Sequence, residues 1–138
     1  PESEAVEFEA GPTYTSEFNG GYGVIFSERF ADKIDVGVTL LSGQQWEAVD
    51  IGNNGNVWAA YVIKRPENFW KVLPSELSLG PNVWIKNQSP INGCTLGYKL
   101  GIKYRLGKDF SVAVHHWSNA GTCKPNRGQD LLTLGWRF

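Results

Sequence analysis

Along most of the chain apolar and polar residues alternate with a period of two, which places successive side chains on opposite faces of a strand. The clearest run is Leu96–Leu106, where Leu96, Tyr98, Leu100, Ile102, Tyr104 and Leu106 share one parity and Gly97, Lys99, Gly101, Lys103 and Arg105 the other. The same split sets Phe110, Val112 and Val114 against Ser111 and Ala113, and Leu132, Leu134, Trp136 and Phe138 against Leu131, Thr133, Gly135 and Arg137. Earlier, Ile34, Val36, Val38 and Leu40 oppose Asp35, Gly37 and Thr39, while Val6, Phe8 and Ala10 oppose Glu7, Glu9 and Gly11. Tyr22, Val24 and Phe26 oppose Gly23, Ile25 and Ser27. With two weaker segments, 57–64 and 76–85, the pattern predicts eight strands.

Alternation alone fits a soluble barrel or sandwich, with the apolar face inside and Lys99, Lys103 and Arg105 in water, as well as it fits a membrane barrel. The polar parity, however, carries mostly glycine, acids and cations, the side chains that a narrow eight-stranded lumen accommodates. The apolar parity then faces outward, toward lipid. The connections favour that arrangement. They run 16–21, 31–33, 42–56, a stretch after Lys64, 86–95, 107–109 and 119–130, so that short and long broadly alternate. The stretch 65–75 is too long for a simple turn, and 69–73 is expected to form a short amphipathic turn at a membrane interface. The chain also ends on Leu134, Trp136 and Phe138 at alternate positions, which resembles the assembly signal of bacterial outer-membrane barrels. The expected fold is therefore all-β, an eight-stranded antiparallel up-and-down β-barrel of outer-membrane type.

Composition narrows the partners. The length of 138 residues predicts a single barrel domain over 1–138. A formal charge of −1 argues against a nucleic-acid partner, and 41% hydrophobic residues against a disordered chain. No apolar run approaches the roughly 18–20 residues of a membrane-spanning helix, which leaves a spanning barrel untouched. The opening Pro1 suggests a mature product after signal cleavage.

There is no GxSxG elbow, P-loop or HExxH motif. His115 and His116 are adjacent, so on a strand they point to opposite faces and cannot share a metal; no metal and no cofactor are expected. His116 and Ser118 are two apart and share the outward face, forming the minimal nucleophile–base pair for acyl transfer. Their backbones stand roughly 6–7 Å apart, a span that an imidazole covers. Asp130, at the start of the last strand and on the same parity as Leu132, is the nearest downstream acid able to orient the imidazole. A plainer reading makes the His and Ser polar caps on an apolar stripe.

The segment His116-Trp117-Ser118-Asn119-Ala120-Gly121, followed by Pro125-Asn126-Arg127-Gly128-Gln129-Asp130, resembles the signature of the lipid A 3-O-deacylase family (PagL type). That family has an eight-stranded outer-membrane barrel, a His-x-Ser-Asn segment, a Pro-Asn-x-Gly segment and an acid two residues beyond the glycine. The match is good over the last third of the chain, and the first half is similar only in strand pattern. The resemblance implies Ser118 as nucleophile, His116 as base and Asp130 as acid, where the family more often has Glu. Asp is one methylene shorter and requires a closer backbone approach. Asn119 falls on an active-site position suited to oxyanion stabilisation, with Ala120, Gly121 and Asn126 in supporting places. The implied function is an outer-membrane esterase that removes the 3-O-linked acyl chain of lipid A. The implied partners are lipopolysaccharide and outer-membrane lipid, with room for a homodimer, and the implied location is the bacterial outer membrane. A non-catalytic lipid-binding or structural surface barrel is the alternative.

Two further expectations concern pairing. Closure of the barrel brings inward Arg137 to Glu7 or Glu9, and sends Lys99, Lys103 and Arg105 to other acids such as Asp35. The three-residue connection 107–109 pairs Leu106 with Phe110, which sets Cys94 opposite residue 122 and predicts a Cys94–Cys123 disulfide.

Overall fold

A computed structural model describes residues 3–14, 21–46, 49–85, 95–119 and 128–138. Eight strands follow one another along the chain: β1 (Ser3–Tyr14), β2 (Tyr22–Phe30), β3 (Ile34–Trp46), β4 (Val49–Lys64), β5 (Glu76–Trp84), β6 (Leu96–Leu106), β7 (Phe110–Ser118) and β8 (Gln129–Arg137). Each pairs antiparallel with the next, and β8 returns to β1 through pairs such as Phe8↔Trp136 and Tyr14↔Asp130. The β8–β1 pairing closes the barrel, so the wall has no open seam between its first and last strands. Turns 31–33 and 107–109 and the longer segment 65–75 lie at one end, called here the short-turn end.

The two parities separate as expected. Leu100 and Ile102 lie outside, while Lys99 and Lys103 are buried. Leu134 is 69% exposed and Ile63 60%, within a belt of outward Leu, Ile, Val, Phe and Tyr side chains that circles the barrel. Monomeric soluble proteins rarely expose contiguous apolar surface on that scale, so the pattern is that of an outer-membrane-type barrel.

The lumen is filled in two layers. In the short-turn half it holds a charge network. Arg29 pairs with Asp35 at 2.7 Å and with Glu76 at 2.8 Å; Lys103 pairs with Glu7 at 2.8 Å and Glu9 at 3.2 Å; Arg105 bridges Glu7 and Glu76. Toward the other end, Ile25, Leu41, Trp58, Trp84, Trp117 and Leu131 form an apolar cluster. Gly37 makes this packing fit, because a Cβ there would stand 2.4 Å from the Trp58 ring.

Three expectations are corrected. Residues 42–56 were expected as a loop, yet β3 and β4 continue pairing to Trp46↔Val49, with register shifts around Gln44. The polar, glycine-rich sequence of that hairpin hides the alternation, since a strand that projects beyond a wall need not have one apolar face. Arg137 stands opposite Glu7 in the ladder but reaches Glu76, at 3.9 Å, because Lys103 and Arg105 already occupy Glu7. Lys99 meets the Trp58 ring at 4.3 Å, a cation–π contact, while Asp35 is taken by Arg29.

Candidate active site

β7 carries an inward and an outward histidine. His115 is buried in the lumen, where its Nε2 lies 2.7 Å from Glu9 Oε1; the Thr133 hydroxyl donates to the same oxygen. Trp117 is fully buried on the same side, 6.2 Å from Trp84 between ring centroids, and anchors β7 against the lumen contents. That anchoring holds the opposite side chains, His116 and Ser118, on the outer wall at the end away from the short turns.

His116 and Asp130 are directly opposite across the β7–β8 ladder, and His116 Nδ1 lies 2.7 Å from Asp130 Oδ1. The direct pairing supplies the close approach that the shorter Asp requires. A carboxylate only accepts, so Nδ1 carries the hydrogen, and in the neutral ring the lone pair is then on Nε2, the tautomer a general base uses. The two side chains are 37% and 36% exposed, so the pair is open to the surroundings of the wall. Ser118 follows at the last position of β7, opposite Tyr98 on β6, and is buried together with the adjacent Asn119. The structure thus brings His116 and Asp130 into contact and places Ser118 on the same strand and parity. Ala120, Gly121 and Asn126, and the cysteines of the expected Cys94–Cys123 bond, lie outside the described residues; the hairpin pairing Leu106↔Phe110 from which that bond was predicted is present.

Sequence reasoning gave Gly128 no task of its own. Its φ is +74°, where side-chain-bearing residues are strained, and a Cβ there would stand 2.8 Å from His116 Cε1. The backbone at Gly128 therefore forms one wall of the imidazole's slot. The signal was visible as a glycine two residues before the acid. Gly128→Ala is expected to displace the ring from Asp130 while the barrel stays folded, and the imidazole proton resonances of His116 in the folded variant check this.

Among curated proteins, none matches the sequence. The family model for lipid A 3-O-deacylase (PagL) matches residues 13–138, which takes in seven complete strands and the His116, Ser118 and Asp130 positions. With a closed eight-stranded barrel that exposes an apolar belt, and a His–Asp pair on its outer wall, the chain belongs to the lipid A 3-O-deacylase (PagL) family.

Proposed function

We propose that the protein is a serine esterase of the bacterial outer membrane that hydrolyses the ester at the 3 position of lipid A. The observation that carries this reading is the His116–Asp130 hydrogen bond of 2.7 Å on the outer, apolar side of the wall, one turn of the pleat from Ser118. The acyl chains of a membrane-embedded substrate lie beside that wall, so an outward site meets the ester without extracting the lipid.

In the proposed reaction, His116 Nε2 takes the Ser118 hydroxyl proton as Oγ attacks the ester carbonyl. In this reading Asn119, next to the nucleophile in the chain, stabilises the resulting oxyanion. The imidazolium, held by Asp130, returns the proton to the departing sugar 3-oxygen, leaving an acyl group on Ser118. Water then attacks that acyl-enzyme, its proton passing to His116 and on to Ser118 Oγ as the fatty acid leaves. The site end of the barrel then faces the lipopolysaccharide leaflet and the short-turn end the periplasm.

Incubating the purified barrel with lipid A in detergent is expected to yield a product lighter by one hydroxyacyl chain, seen by mass spectrometry together with the free acid. Asp130→Asn is expected to slow this strongly while retaining the fold, because an amide no longer fixes the imidazole as a base; the corresponding acid-to-amide change in a Ser-His-Asp triad costs about 10⁴-fold. A folded, lipid-embedded protein that releases no fatty acid would instead support a non-catalytic lipid-binding barrel.

A further inference from the structure

The segment between β4 and β5 is an ordered strap with no task in the proposed chemistry. Its ends are joined by the Arg65 N–H to Ser75 carbonyl bond, and turns are closed by Phe69 N–H to Pro66 and Leu73 N–H to Trp70. The Arg65 guanidinium donates to the carbonyls of Lys71 and Leu73, and the Tyr104 hydroxyl, from the outer face of β6, donates to the Val72 carbonyl. The strap is thus held on the outside of the wall at the short-turn end. Phe69 and Leu73 join the outward Ile63 and Leu77 around a cavity of about 220 Å³.

With the backbone fixed in this way, apolar side chains of the strap point outward. Trp70 is 73% exposed and Val72 74%, beside Phe69 at 52%. A water-facing turn has no physical reason to hold a Trp and a Val outward on a backbone whose carbonyls are already satisfied. These side chains continue the apolar belt of the barrel to its rim, and Trp is favoured where one end of a side chain is apolar and the other wet. The strap also carries Arg65 and Lys71 against Glu67, a net positive charge.

We infer that the strap 65–75 is an interfacial anchor that seats the barrel in the phospholipid leaflet opposite its active site, with Trp70 and Val72 inserted at the headgroup–acyl boundary and Lys71 on anionic headgroups. The occupant is a lipid surface because the apolar residues are continuous with the lipid-facing wall and the spare charge is positive. The inference rests on the membrane reading of the proposed function.

The test uses the full-length protein in nanodiscs of phosphatidylcholine mixed with phosphatidylglycerol, with either lipid brominated near the top of its acyl chains. Trp70→Phe and Trp136→Phe difference spectra isolate these two outward tryptophans among the described residues. Quenching of Trp136, on the barrel wall, reports insertion independently. If Trp136 is quenched by the brominated lipids, Trp70 is expected to be quenched as well and to be shielded from aqueous acrylamide. A quenched Trp136 with a Trp70 open to acrylamide overturns the anchor alone, whereas an unquenched Trp136 overturns the membrane reading with it. Lys71→Gln is expected to lower the retention of phosphatidylglycerol relative to phosphatidylcholine by about fivefold, the factor for one cation at an anionic surface. Unchanged relative retention would overturn the headgroup contact. Deacylation in detergent is expected to be the same in all of these variants.

Discussion

Replacing Ser118 with alanine is expected to lower lipid A deacylation by about 10⁴-fold or more while the barrel stays folded, the scale seen when a serine hydrolase loses its nucleophile. His116→Ala is expected to cost nearly as much, and the double variant little more than either, because a nucleophile without its base and a base without its nucleophile fail at the same step. The informative control is the neighbouring residue. His115 points into the lumen and holds Glu9, so His115→Ala removes an internal partner and leaves the wall untouched. It is expected to lower resistance to unfolding, with turnover of the folded fraction close to that of the parent. Turnover assays paired with an unfolding measurement separate the two histidines; equal losses of turnover would show that the reaction is not confined to the outward face. Equal activity of Ser118→Ala and the parent would remove Ser118 from the mechanism altogether.

This contrast between adjacent histidines was legible in the sequence, because strand parity alone divides them. So were the strand count, from a period of two, and the placing of His116, Ser118 and Asp130 on one face at one end of neighbouring strands. The outward direction of the apolar face needed the glycine and charge content of the opposite parity and the rhythm of the connections as well. The parts that were not legible share a physical reason. Which acid meets which cation in the lumen depends on the shear and closure of the barrel, which bring Glu76 on β5 close to Arg29 on β2 even though the strands are not neighbours. The extension of β3 and β4 was hidden because its residues lack an apolar face. Gly128 was quoted in a motif, yet its contact with the His116 ring depends on a backbone path that no periodicity encodes.

The lumen network sets the second large expected effect. Glu76 accepts from Arg29 at 2.8 and 2.9 Å and from Arg105 at 3.2 Å, with Arg137 at 3.9 Å, so one buried carboxylate lies among three guanidinium groups. Removing it sets an apolar side chain among three guanidinium groups and leaves Arg29 only Asp35 and Arg105 only Glu7, and breaking a buried pair costs about 3–5 kcal/mol. Glu76→Leu is therefore expected to destabilise the barrel by at least that amount, read as a lowered urea midpoint in a bilayer. The appropriate comparison is an ion pair in water. Asp32, in the turn between β2 and β3, pairs with Lys64, and both side chains are exposed. Asp32→Asn keeps a residue type that tolerates the φ of 60° at that position, so the test removes the charge alone. Its expected cost is about 0–1 kcal/mol. Should Glu76→Leu prove as mild as Asp32→Asn, the lumen charges would have to be solvated well enough to stand without partners, and the packed ionic layer would not be what holds this half of the barrel together.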